Sequence, residues 1–352
     1  MKAWKRLLPL ILALSLLTGL AGCGQSGGVD AAPGGDAGDP EDAYLEPVVM
    51  EELEEIDVAD EAVALAGGPA ALPAGTVPVA SGTKVKQNSR AVIDYSNTGD
   101  GYVMVKFTGT TATRIKVQIF GPSYAARELK YTYDLPVGVW TTFPMSDGNG
   151  EYKVTVLENT SDTKYSLVLS ETFQVSMADE FAPFLRPNQY VDYENAPNTV
   201  AKAAELAGSE TDMLVKVEKI YDFVVNNFVY DNQRANDVIA GKLNGYLPVL
   251  DSVLAEKKGI CFDYAAIMTG MLRSLGVPCK LVTGYVPSGG GQSYHAWISV
   301  WSQETGWVEG AIYFNGSAWQ RMDPTFASSG KGSATIARFI GNGSNYTVDK
   351  IY

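Results

Sequence analysis

Apolar and polar positions change their period along the chain, and each change marks a new kind of segment. Residues 7–20 are an unbroken apolar run behind Lys2, Lys5 and Arg6, too short to cross a bilayer comfortably. Residues 24–80 have no sustained period, and only 46–66 has some helical spacing. From 81 to 176 the pattern becomes short alternating runs at 91–95, 102–107, 114–120, 129–133, 141–143, 152–158 and 165–169. Turn clusters such as Asn97-Thr98-Gly99-Asp100-Gly101 separate them. Period-two alternation broken at regular intervals predicts an antiparallel β-sandwich of immunoglobulin-like type. Residues 177–209 form a connection holding Pro183, Pro187 and Pro197, with a short helix over 198–206 capped by Asn198 or Thr199. No flexible Gly/Ser linker follows, so the parts on either side are expected to pack together.

Beyond 210 the period becomes helical. Leu214, Val217, Ile220, Tyr221, Val224, Val225 and Phe228 recur at three and four, which predicts one amphipathic helix over 211–228. Residues 232–251 read as looser chain and 251–257 as a short helix. A longer helix over 261–275 sets Ala265, Met268, Leu272 and Leu275 towards a core and stops at Gly276-Val277-Pro278. Alternation then returns at 280–286 and 293–300, joined by a Gly-rich turn at 288–291. Further strand patterns lie at 307–314, before Asp323, at 335–340 and at 346–352.

Charge sharpens this division. The formal net charge is −13, and residues 24–80 hold thirteen Asp and Glu with no Lys or Arg. That segment accounts for the whole excess, so the remainder has no basic surface and nucleic acid is not an expected partner. A Gly-, Pro- and acid-rich stretch cannot bury enough apolar surface to order itself, so 24–80 reads as a disordered tether. Tyr131, Tyr133 and Trp140 read as core or strand-face residues rather than a glycan-binding face. Residues 1–23 end in Leu20-Ala21-Gly22-Cys23, which resembles a bacterial lipoprotein signal. The resemblance implies cleavage before Cys23, lipidation of that thiol, and a chain anchored to the bacterial cell membrane facing away from the cytoplasm.

The candidate chemistry lies between Gly259 and Asp323. Cys261 opens a predicted helix, where unpaired amides and the positive end of the dipole favour a thiolate and an oxyanion. His295 is the only histidine in the chain and sits on a predicted strand that can return to that helix start. A neutral imidazole there can take the thiol proton and later return it. Asp323, in Met322-Asp323-Pro324, ends another strand, where its carboxylate can fix the imidazole tautomer. Cys279 reads as a core residue, and a Cys261–Cys279 disulfide is not expected. One histidine and three cysteines cannot supply a zinc site, and no calcium-loop or phosphate-loop spacing is present. No cofactor or metal is therefore expected.

Together GICFDYA, SYHAW and RMDPT resemble the transglutaminase-like superfamily, over roughly residues 210–327. The resemblance implies an α+β fold, a permuted relative of papain-like cysteine proteases, occupying 210–352. It implies Cys261 as nucleophile, His295 as general base and acid, and Asp323 as orienting carboxylate. The stretch Asn227-Phe228-Val229-Tyr230-Asp231 also resembles the family pattern, while the strand pattern at 307–314 departs from it. For the oxyanion, Tyr230, Asn232 and the backbone amide of Cys261 are the candidate donors. The expected activity is acyl transfer from a protein or peptide amide, cell-wall associated or not, through a thioester, with hydrolysis favoured over transamidation. The competing expectation is a non-catalytic surface scaffold carrying a relic triad.

Overall fold

In the computed structural model the described residues are 72–111, 113–288, 291–302, 306–308, 312–314, 319–321 and 347–352. The signal segment with Cys23, most of the tether, Asp323 and the run at 335–340 lie outside them. Among the described residues no helix is long and apolar enough to cross a membrane.

The first part consists of β1 (Val85–Gln87), β2 (Ala91–Asp94), β3 (Tyr102–Phe107), β4 (Ile115–Phe120), α1 (Tyr124–Arg127), β5 (Lys130–Asp134), β6 (Thr141–Pro144), β7 (Gly150–Ser161) and β8 (Lys164–Val175). They form two four-stranded antiparallel sheets, in the orders β1-β2-β3-β6 and β5-β4-β7-β8. Each sheet sends a buried apolar row into one core, with Ile93, Val103 and Val105 from one and Val117, Ile119 and Val154 from the other. The rings of Tyr133 and Phe143, 4.8 Å apart, meet between the sheets. Tyr131 and Tyr133 are buried, whereas Trp140 is exposed. The seven sequence-predicted runs all fall on strands. The polar three-residue β1 was not predicted, because it is too short to carry a period.

The second part holds α2 (Pro197–Ala207), α3 (Met213–Asn227), β9 (Val229–Tyr230), α4 (Asn232–Ile239), α5 (Leu250–Glu256), β10 (Lys258–Gly259) and α6 (Cys261–Ser274). It continues with β11 (Cys279–Ser288), β12 (Gly291–Ser302), β13 (Gly306–Val308), β14 (Ile312–Phe314), β15 (Trp319–Arg321) and β16 (Thr347–Ile351). A four-stranded antiparallel sheet runs in the order β13-β12-β11-β16. The two parts share one buried core. Gln189 Nε2 donates to the Asp134 carbonyl at 2.6 Å, and the rings of Tyr131 and Tyr352 meet at 5.7 Å.

Three local expectations are corrected. Helix α2 takes no cap from Asn198 or Thr199, because Pro197 stands at its first turn and moves the start forward. Asp251 of α5 caps it instead, accepting from the backbone N–H of Asn198 at 3.1 Å and of Thr199 at 2.8 Å. The looser stretch contains α4, capped by Asp231 through the Arg234 N–H at 3.0 Å. The single strand pattern at 307–314 is two separate strands, β13 and β14.

Helix α6 organises this second part. All 14 of its residues are buried, so it is a central helix rather than an amphipathic one with a single core face. It packs against α2, α3, α5, β11 and β12. Its buried polar groups are bonded. Arg273, fully buried, donates to the carbonyls of Cys279 at 2.8 Å, Arg186 at 2.8 Å and Tyr352 at 2.7 Å.

Candidate active site

Cys261 is the first residue of α6, as its place before an apolar helical run predicts. Its side chain is 1% exposed. The chain enters the helix along β10, which pairs in parallel with β9 and sets Gly259 opposite Tyr230. The Asp231 N–H donates to the Gly259 carbonyl at 2.9 Å and holds this entry. Of the three oxyanion candidates, Tyr230 is thus brought beside the chain two residues before Cys261, while Asn232 opens α4.

The helix start is fixed from behind by Asp263, which is 0% exposed. Its Oδ2 accepts from the backbone N–H of Ile260 at 2.8 Å, as an acid in the first helical turn does when it folds back on the cap. Its Oδ1 accepts from the Tyr246 hydroxyl at 2.6 Å, and its Oδ2 accepts also from Arg234 at 3.2 Å. Arg234 continues to Glu256 at 2.6 Å. Burial pushes the Asp263 carboxyl above its usual range, and these donors pull against that rise. Burial, with the Asp263 charge added, raises the Tyr246 phenol and keeps it protonated as a donor. Gly259 makes room for the arrangement, since a Cβ there would stand 2.5 Å from the Asp263 Cβ. Arg234, Tyr246 and Asp263 were not singled out from the sequence. The available signal was an aspartate two residues after the cysteine, at the third helical position, which is a helix-start signature.

Asp263→Asn tests this support. The amide keeps the size but offers one acceptor oxygen to three donors. Arg234 retains Glu256, so we expect a loss of about 2 kcal/mol in urea unfolding rather than the full penalty of an orphaned buried charge.

His295 lies within β12, 1% exposed, directly opposite Gly284 of β11. A Cβ on Gly284 would stand 2.1 Å from the Thr347 carbonyl oxygen and 2.7 Å from the Trp297 ring, so glycine lets β16 and Trp297 close in beside the histidine. Side chains alternate along a strand. Cys279 contacts Thr269 of α6 at 3.6 Å and pairs with Val300, which puts Ala296, Ile298 and Val300 on the α6 side. His295, Trp297 and Ser299 fall on the other face. The structure thus sets His295 on the face of β12 that is turned away from α6, the helix that Cys261 opens. Cys279 is fully buried, and burial pushes its thiol up to about 11. Both Cys261 and Cys279 are free thiols.

Residues 200–324 match the family model of the transglutaminase-like superfamily. This stretch is a transglutaminase-like domain. It takes in most of α2 and the elements that carry Cys261 and His295, but not β16. An uncharacterised Bacillus subtilis protein, YebA, is 30% identical over 122 residues, which is 30% of this chain and only 16% of that relative. The periplasmic domain of TgpA from Pseudomonas aeruginosa is 17% identical over 69% of this chain and 95% of that one, with a TM-score of 0.28. A candidate cysteine protease from Cytophaga hutchinsonii is 17% identical over 71% of this chain and 83% of that one, with a TM-score of 0.36. The transglutaminase-like domain is of the kind found in cysteine-dependent enzymes, and its α+β class agrees with the helices and antiparallel sheets described above.

Proposed function

We propose that the chain is a surface-anchored, cysteine-dependent acyl-transfer enzyme acting on protein or peptide amides. The observation that carries this reading is the place of Cys261 as first residue of a 14-residue helix inside a transglutaminase-like domain. In the proposed mechanism His295 takes the thiol proton and the thiolate attacks the amide carbonyl carbon. Amides of the first helical turn, which an α-helix leaves without intrahelical partners, receive the oxyanion. Collapse breaks the C–N bond, the imidazolium protonates the departing amine, and a thioester remains. Water, deprotonated by His295, then attacks the thioester and releases a carboxylic acid and the free thiol. An amine attacking at this stage would give a new amide instead, and hydrolysis is the favoured outcome. Asp323 is assigned the orienting role on His295. Lipidated Cys23 would hold the protein on the outer side of the bacterial membrane, with 24–80 as spacer.

A second reading, a non-catalytic surface scaffold, draws on the burial of both Cys261 and His295. Incubation of wild type and Cys261→Ala with a peptide mixture, followed by mass spectrometry of cleaved or cross-linked products, separates the two. Cleavage by wild type alone supports the enzyme; identical product spectra sink it.

A further inference from the structure

Two hydrogen bonds hold the residues just before Cys261, and both lead to one guanidinium. The Gly259 carbonyl accepts from the N–H of Asp231, and the Ile260 N–H donates to Oδ2 of Asp263. The side chains of both acids face Arg234 of α4. Its Nη1 donates to Oδ2 of Asp263 at 3.2 Å, and its Nε stands 3.6 Å from Oδ2 of Asp231. The same Nη1 donates to the Tyr246 hydroxyl at 3.2 Å, and that hydroxyl donates to Oδ1 of Asp263 at 2.6 Å. Nη2 is taken by Glu256 of α5 at 2.6 Å, and Lys258 of β10 lies 3.5 Å from Oδ1 of Asp231. Among the described residues, the titratable groups of this cluster are thus Asp231, Glu256 and Asp263 with Arg234, Lys258 and Tyr246, and Cys261 stands on the same helical turn as Asp263.

We infer that Arg234 and Tyr246 are positioning residues for Cys261, acting through Asp263: they keep its carboxylate ionised, and the ionised carboxylate holds the first turn of α6 in the geometry in which the thiol reacts. The inference rests on Cys261 being the nucleophile. Geometry gives the reason that the charge matters. Oδ2 of Asp263 faces two N–H groups, neither of which can accept, so a proton there would set three donors against one another. A proton on Oδ1 would reverse the bond from Tyr246, whose hydroxyl already receives from Arg234. Either proton turns the charge-assisted bond to Ile260 into a neutral one, about half as strong. Asp263 is fully buried, and burial works against its charge. Of the groups that pull the other way, the Tyr246 hydroxyl and the Ile260 N–H are neutral donors, and Arg234 brings the positive charge. Without the guanidinium the carboxyl rises further and takes up its proton at a higher pH. The hold on Ile260 is then full above that pH and is lost as the pH falls through it.

The test uses the full chain and the rate of iodoacetamide alkylation at Cys261, read by peptide mapping from pH 5 to 9. The Cys261 thiolate displaces iodide to form a thioether, so no substrate is needed. Arg234→Gln keeps an amide donor and loses the charge, and Tyr246→Phe keeps the ring and loses the hydroxyl. At pH 6, Cys261 is expected to react about 10-fold slower than wild type in Arg234→Gln and about threefold slower in Tyr246→Phe, with both within about twofold of wild type at pH 9. Arg234→Lys retains the charge, so its profile should stay within about threefold of wild type at every pH even though the urea midpoint falls with the loss of the fork. In an Asp263→Asn background, Arg234→Gln should change the pH 6 rate by less than about threefold, because no carboxylate is left to act through. A loss of rate that is equal at all pH values makes the two residues merely structural and overturns the inference. The same 10-fold cost in the Asp263→Asn background overturns it too, since Arg234 would then act on the thiol directly. If Arg234→Gln does not fold, seen as labelling of Cys279, Tyr246→Phe decides, and a profile that superimposes on wild type overturns the inference. A wild-type Cys261 that reacts no faster than an ordinary thiol removes the nucleophile itself, whereas a reactive Cys261 with unchanged profiles in the variants removes this inference alone.

Discussion

Cys261→Ala removes amide turnover, with kcat expected to fall by about 10³-fold or more while KM changes little. In the proposed mechanism the thiol supplies the bond that divides amide cleavage into two steps, and no neighbouring group can replace it. A water molecule activated by His295 would have to attack an unactivated amide directly, with only the helix-start amides to hold the oxyanion. The substitution is mild for the fold. It deletes one sulfur from a buried position at the end of α6, and the bonds of Asp263 to Ile260, Tyr246 and Arg234 are untouched. Urea unfolding should therefore move by no more than about 1–2 kcal/mol. Loss of turnover in a folded protein is thus separable from loss of the fold. Turnover that survives in Cys261→Ala would assign the chemistry elsewhere.

Arg273→Leu is the substitution expected to damage the fold most. The guanidinium is fully buried, and its three described partners are backbone carbonyls, those of Cys279, Arg186 and Tyr352. Those carbonyls belong to the start of β11, the connection before α2 and the residue after β16. One side chain on α6 thus ties three distant segments together. Burial lowers the guanidinium to about 10, still well above neutrality, so the group is charged and donates at physiological pH. Leucine would leave at least two carbonyls without a donor in a dry interior and would not fill the planar slot. A loss of about 3–5 kcal/mol follows, read as a fall in the urea midpoint. Arg273→Lys should recover only part of it, because an ammonium cannot span three carbonyls in the geometry of a fork. A midpoint within about 1 kcal/mol of wild type in Arg273→Leu would contradict this role.

The residues show how far local pattern reaches. Alternation found β2 to β8 because each strand has one face in the core, and helical spacing found α3 because its stripe is complete from Leu214 to Phe228. The start of α6 was readable from Cys261 and its end from Gly276, whose φ of 76° is the left-handed conformation that a stop requires. What escaped depends on contacts between distant residues. The cap of α2 comes from Asp251, 53 positions away from Asn198. Helix α4 has few apolar positions, and its cap, Asp231, read as the end of the preceding helix. The Arg234–Asp263–Tyr246 support joins three segments and has no period at all. The spacing of Ala265, Met268, Leu272 and Leu275 marked one core face of α6, and local pattern gives no sign that Asp263, Thr269 and Arg273 are buried too. Their partners lie on other elements.

The central claim is that Cys261 and His295 act as one unit, and the alkylation rate of Cys261 tests it most directly. Wild type and His295→Ala are treated with iodoacetamide across pH 5 to 9, and Cys261 and Cys279 are followed as separate peptides. Cys279 serves as an internal reference, since burial and a thiol raised to about 11 should keep it unreacted while the protein is folded. The account predicts that Cys261 in wild type reacts near neutral pH at least about 10-fold faster than in His295→Ala, and that the variant's profile moves towards that of an ordinary thiol. Identical rates and identical pH profiles at Cys261 in the two proteins would contradict it.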